Sequence, residues 1–197
     1  MFVRLLTEDD AMAHRALRTM SVSESAQFSC PEIVRELAIY LRIGCGVLAG
    51  HLAGGTRVWG VFDRSRLLGT VSVSRAQERA NAGKAYLWGL YVLPEARGSV
   101  ASDALMSAAL AWCRREAHLG EVNLHAHCQN LRALRWFERY GFERQDDPSL
   151  RTTMLVAMRA RLNADGQRPD STDDDMQMDV ALPLPAPLDE ARSSGSG

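Results

Sequence analysis

The sequence predicts an α/β (α+β) domain, a mixed and mostly antiparallel sheet flanked by helices. Three observations predict it. Two strand-like runs, Arg57–Phe62 and Leu67–Ser74, are joined by Asp63-Arg64-Ser65-Arg66, a hairpin signal. Ala85–Val92 is a nearly continuous apolar run, the pattern of a central strand covered on both faces. A helical repeat and then an alternating strand follow it, so residues 85–128 read as a strand–helix–strand crossover whose two strands are parallel.

Taken in order, residues 2–6 (FVRLL) predict a short strand. Thr7 with Asp10 three residues later resembles a capping box, and a helix with Met12, Ala16, Leu17 and Met20 on its apolar face should follow. Ser29-Cys30-Pro31 starts a second helix, with Ile33, Leu37, Tyr40 and Leu41 as its stripe. The glycine-rich stretch Gly44–Gly55 has no clear period and reads as a loop near a ligand. After the hairpin, Arg75–Gly83 is a polar loop, and Pro94 ends the central strand. From Ala101 to about Glu116 a helix presents Ala101, Leu105, Ala108 and Trp112. In Glu121–Cys128, Val122, Leu124, Ala126 and Cys128 point one way and Asn123, His125 and His127 the other. Asn130 caps a helix running to Tyr140, Gly141 supplies the left-handed stop, and Thr152–Ala160 is the last strand.

Composition divides the chain into a domain, residues 1–161, and an acidic, proline-containing tail, residues 162–197, expected to be disordered. The tail carries eight acids and two bases, a net −6 that leaves the domain at +5. A mildly basic domain suits an anionic ligand but is too weakly charged to argue for nucleic acid. Cys30, Cys45, Cys113 and Cys128 show no metal-ligand spacing, so no metal and no disulfide framework is expected. No run reaches the roughly 18 apolar residues of a membrane span, and MFVRLLTEDD has no apolar signal segment, so a soluble, cytoplasmic setting without membrane contact is expected.

The chemistry concentrates in Tyr86–Phe142. A buried strand runs through Pro94-Glu95-Ala96-Arg97-Gly98-Ser99 directly into a helix. The unpaired N–H groups of a helix N-terminus, with the positive end of its dipole, make an anion site that a pyrophosphate fits. LWGLYVLPEARGSVASDAL resembles the cofactor-binding segment of the GNAT acetyltransferases, with its pattern (Arg/Gln)-x-x-Gly-x-(Gly/Ala). NLRALRWFERYGF resembles the family's following block, Asn-x-x-Ala-x-x-Phe-Tyr-Glu-x-x-Gly-Phe. The likeness covers residues 1–160 in element order and is specific over about residues 86–142.

The resemblance implies the GNAT fold, whose two central parallel strands splay, and acetyl-CoA as co-substrate. The backbone of Leu90, Tyr91 and Val92 would run beside the pantetheine arm as along an added strand. The loop Arg97, Gly98, Ser99, Val100, Ala101, Ser102 and Asp103 would cradle the pyrophosphate through its amides. Asn130 would contact the cofactor arm, and Phe137 would lie near the thioester sulfur.

Three positions in two places depart from the family pattern. Val100 and Ser102 stand where small residues are usual, and a β-branched residue fits positive φ badly, at a cost of roughly 1–2 kcal/mol. Phe137 stands where a tyrosine usually protonates the departing thiolate, a role worth about 10²–10⁴-fold. Tyr140, one turn on, is a substitute acid or a packing residue. Where some members of the family place a glutamate base, five residues before Asn130, the resemblance puts His125 as the expected base, with His127 on the same face and bound water as competitors; a histidine titrating near 6.5 suits that work. His51 and the Gly44–Gly55 stretch would border the acceptor.

The expected activity is acetyl transfer from acetyl-CoA to a primary amine, on a small molecule or a peptide, by a monomer or homodimer with no nucleic-acid partner. The departures at 100, 102 and 137 also motivate an alternative, a non-catalytic acyl-CoA-binding or regulatory module.

Overall fold

The computed structural model describes residues 1–25, 46–76, 81–151, 153–162 and 180–181. Strand β1 is Phe2–Leu5. Thr7 N donates to Asp10 Oδ2 at 2.9 Å, which opens a 3-10 turn, Glu8–Asp10, leading into helix α1, Ala11–Ser25. The second helix start, at Ser29-Cys30-Pro31, lies outside the described residues, as do residues 77–80 of the polar loop and all of the tail except 162 and 180–181. Residues Gly46–Ala53, within the stretch expected as a loop, form helix α2 instead. Its glycines are Gly46 and Gly50, and a Cβ added at Gly50 would meet nothing within 4 Å, so no close contact demands glycine there. The only local signal for a loop was the low helix propensity of glycine.

Strands β2 (Arg57–Asp63) and β3 (Arg66–Arg75) form the expected hairpin. The turn is tighter than read, with Asp63 paired to Arg66 and Arg64 at φ +52. Strand β4 is Lys84–Val92, helix α3 Ala101–Arg115, strand β5 Glu121–His127 and helix α4 Leu131–Arg139. The Asn130 side chain accepts from Ala133 N at 3.1 Å, and Gly141 at φ +81 ends that helix region. The short strand β6, Glu143–Gln145, was not expected, and the expected last strand is β7, Leu155–Arg161, which starts three residues later than the pattern predicts. The two-residue strand β8 is Val180–Ala181.

The sheet runs β1-β2-β3-β4-β5-β7-β6, antiparallel throughout except for the parallel pair β4–β5. Register assigns the faces. Trp59 pairs with Val71 and Ser72 with Trp88, so Trp59 and Trp88 lie on opposite faces. Trp59 meets Trp112 of α3, while Trp88 meets His51 of α2 at 4.7 Å. Helix α3 therefore covers one face, where Leu105, Met106, Ala109, Leu110 and Cys113 join the core. Helices α1 and α2 cover the other.

Helix α1 corrects the expected stripe. Its buried side is His14, Leu17, Arg18, Ser21 and Val22, whereas Met12 and Met20 are exposed. Residues 14, 18 and 21 follow helical spacing as strictly as an apolar stripe would, but the face they make is polar. Among the described residues no helix is long and apolar enough to cross a membrane, and no group of three His, Cys, Asp or Glu side chains is placed to hold a metal.

Candidate active site

The site begins where the central strands separate. Lys84, Ala85 and Tyr86 pair with Glu121, Val122 and Asn123, and the pairing stops there. Beyond it, Leu87–Val92 and Leu124–His127 diverge into a cleft. A bulge sharpens the bend of β4: its register against β3 shifts between Thr70 and Ser72, opposite Gly89 at φ +63. Arg18 Nη1 lies 3.4 Å from where a Cβ on Gly89 would stand, and Ser72 Oγ 3.6 Å from it.

Beneath the mouth of the cleft, the turn after β4 delivers its amides. Arg97 N and Ala104 N are paired within the turn and helix, and Ala101 N donates to Ser99 Oγ. The amides of Gly98, Ser99, Val100, Ser102 and Asp103 have no acceptor among the described residues, the state of a helix N-terminus ready for an anion. Gly98 takes the positive φ, +70, that the turn requires. Val100 sits at φ −67 and ψ 0 with 64% of its surface exposed, so its branched side chain is neither strained nor in the way of the backbone.

The other side of β4 carries a polar cluster. Glu24 Oε1 accepts from Tyr91 Oη at 2.8 Å, and Glu24 Oε2 accepts from Arg97 Nη2 at 2.6 Å. Arg97 Nε donates back to Val92 O at 3.0 Å, so one guanidinium ties α1, the end of β4 and the anion loop together. Next to it, burial pushes His14 down to about 3 and His51 to about 4, with the Arg18 charge adding to both. Both imidazoles are neutral at pH 7.

The acetyltransferase (GNAT) family model matches residues 18–142, which run from the second half of α1 through the splayed strands and both loop-helix units. The chain belongs to the GNAT acetyltransferase family. A search of curated proteins finds no match. Solved structures share the fold at low identity. PaiA N-acetyltransferase from Thermoplasma acidophilum, in complex with coenzyme A, has a TM-score of 0.67 at 19% identity, over 82% of this chain and 99% of its own. Ribosomal-protein-alanine N-acetyltransferase from Brucella melitensis has 0.64 at 18%, over 82% and 99%. YncA from Salmonella typhimurium, solved with its cofactor acetyl-CoA, has 0.62 at 17%, over 86% and 98%.

In this GNAT chain, the residues expected to hold the cofactor fall around one cleft. Leu90, Tyr91 and Val92 lie along the diverging part of β4, and 97–103 at its foot. Asn130 spends its side-chain oxygen on capping α4. Phe137 is fully buried against Trp136 and Phe142. Tyr140 is held elsewhere: its hydroxyl donates to Asp103 Oδ1 at 2.6 Å, and Trp136 Nε1 donates to the same oxygen at 3.2 Å. Burial and that carboxylate raise the tyrosine well above its ordinary range.

His125 is half-buried on the strand face opposite the Val122, Leu124 and Ala126 core positions. Burial lowers its pKa, opposed by the charge of Asp147. His127 is buried, and its Nδ1 accepts from Gln129 N at 3.2 Å, which fixes that nitrogen as an acceptor. Sequence reasoning missed His14, Arg18, Ser21 and Glu24. Their signal was polar residues at helical spacing opposite the two exposed methionines.

Proposed function

We propose that this GNAT chain is an N-acetyltransferase that takes an acetyl group from acetyl-CoA to a primary amine, by direct attack in a ternary complex. One observation carries the reading: β4 and β5 part beside a loop that ends in unpaired helix-start amides, while a polar, partly charged cluster borders the other side of the same strand. The residues fit acetyl-CoA. The unpaired edge of β4 suits an extended amide-bearing arm, and the amides of Gly98, Ser99, Val100, Ser102 and Asp103 suit a pyrophosphate. When bound, acetyl-CoA supplies the activated acetyl thioester.

The chain's own groups do the rest. A primary ammonium titrates near ~10.4 and must lose a proton before it attacks. His125, neutral at pH 7, accepts it directly or through water. A backbone amide of the Leu90–Val92 stretch of β4 would donate to developing oxyanion charge. Neither Phe137 nor the Asp103-bound Tyr140 provides an acid, so the thiolate departs unaided, helped by its own low basicity near ~8.5. The acceptor, a small-molecule or peptide amine, enters from the side of α1 and α2, where His51, His14 and Arg18 lie.

The same observations at Phe137 and Tyr140 support a second reading, a module that binds acyl-CoA without turning it over. Incubation with acetyl-CoA and a panel of amines, following release of free CoA, separates the two. Release with any amine supports the enzyme. Binding without release across amino acids, polyamines, amino sugars and peptide N-termini supports the module.

A further inference from the structure

The cleft already has an occupant made by the chain itself. Strand β7 takes one edge of β5 along its whole length, from Glu121–Arg161 to His127–Leu155. Strand β8 also pairs with β5, with Ala181 opposite His125 and Val180 opposite Ala126. It must therefore use the remaining edge, the one that faces β4, and it lies against β4 as well. Those two rungs begin just past Asn123, where β4 stops pairing.

The sequence of this segment is made for such a place. Apolar residues recur at Met176, Met178, Val180, Leu182 and Leu184, alternating with Gln177, Asp179, Ala181 and Pro183. A period of two is the strand pattern, and it stands alone in a tail otherwise rich in Asp, Ser, Gly and Pro. Pro183 and Pro185 lack the N–H that a longer ladder needs. Charge favours the same docking. The tail carries −6 against +5 on residues 1–161, and Asp173, Asp174, Asp175 and Asp179 immediately precede the strand.

We propose that the segment around Val180–Ala181 is an intramolecular strand that docks in the β4–β5 cleft and competes there with acyl-CoA. This rests on the acetyl-CoA reading given above. The competition is direct: the arm of the cofactor and β8 need the same opening between β4 and β5. The tether of residues 163–179 keeps the strand at high local concentration, while two rungs keep it displaceable. The apparent cofactor affinity is then the intrinsic one multiplied by the fraction of open clefts.

The test uses the full chain and the double substitution Val180→Pro, Ala181→Pro, which removes both backbone donors of β8 and lies outside the domain core. Two readouts are taken, acetyl-CoA affinity by calorimetric titration and hydrogen exchange of the Leu124–His127 amides without ligand. The proposal predicts that the variant binds acetyl-CoA about tenfold more tightly, that its Leu124–His127 amides exchange faster, and that neither difference changes with protein concentration. A peptide of residues 173–188, added to the variant, should weaken acetyl-CoA binding competitively. Equal affinities in the two proteins overturn the tail's role and leave the acetyl-CoA reading standing. A difference that grows with protein concentration overturns it too, by giving the strand to a second copy. No acetyl-CoA binding by either protein overturns the reading on which the proposal rests, and the proposal with it.

Discussion

Glu24 Oε2 accepts from Arg97 Nη2 at 2.6 Å, which joins the last turn of α1 to the anion loop across the end of the central strand. The pair is largely shielded, with side-chain exposures of 26% and 12%, and Tyr91 adds a second donor to the carboxylate. Breaking a shielded charge-assisted bond leaves its partner short of an acceptor, at about 1–3 kcal/mol. Glu24→Ala should lower stability by that amount in chemical denaturation. It should also weaken acetyl-CoA binding about tenfold, because Arg97 then holds the loop only through Val92 O. Unchanged binding in a destabilised variant would make the link structural only.

Tyr140 acts as a strut. Its hydroxyl donates to Asp103 in the first turn of α3, and that carboxylate also takes the Trp136 indole N–H. Tyr140→Phe should cost about 1–2 kcal/mol of stability and leave turnover within about twofold of the parent. A fall of 10²-fold or more in turnover would instead make Tyr140 the acid.

Phe137 yields two expectations. It is fully buried among Trp136 and Phe142, so Phe137→Ala should destabilise by about 3–5 kcal/mol. Phe137→Tyr restores a hydroxyl at the position the family uses. If thiolate departure limits the rate, turnover should rise about tenfold or more with little change in KM. An unchanged rate would place the limiting step elsewhere.

The pH dependence has a definite sign. His125 is lowered below 6.5 by burial, so it is a free base over a wider range than an exposed histidine. The rise of kcat/KM with pH that it controls should have its midpoint below 6.5, and His125→Ala should remove that limb. For stability, His14 and His51 are held at about 3 and about 4 against 6.5 in the unfolded chain. Their contribution is complete above about pH 6.5 and is lost as pH falls toward 4 and then 3, because the unfolded state binds protons first. Urea midpoints between pH 7 and 4 should fall, and less steeply in His51→Gln.

Much of this was legible in the chain. The hairpin, the buried β4 run, the alternation of β5 and the capped α4 each carry a local period or a fixed stop residue, and each fell where it was read. Gly46–Ala53 did not, because two glycines mask a helix whose Val47 and Leu48 are buried by tertiary contact. The three-residue β6 is too short to show a period. The α1 face was only partly read: Leu17 is inward as expected, but Met12 and Met20 are exposed, and His14, Arg18 and Ser21 share the buried side, where apolar periodicity does not look for them. The Val100 departure, by contrast, is harmless at φ −67, something that only backbone geometry reveals.

The most direct test of the central claim is acetyl-CoA-dependent release of free CoA by the full chain, measured with a thiol reagent across a panel of primary amines at fixed salt. The predicted result is release that requires both acetyl-CoA and one class of amine, with the acetyl group recovered on its nitrogen. No release above the uncatalysed rate with any amine, in a protein that is folded, would contradict it.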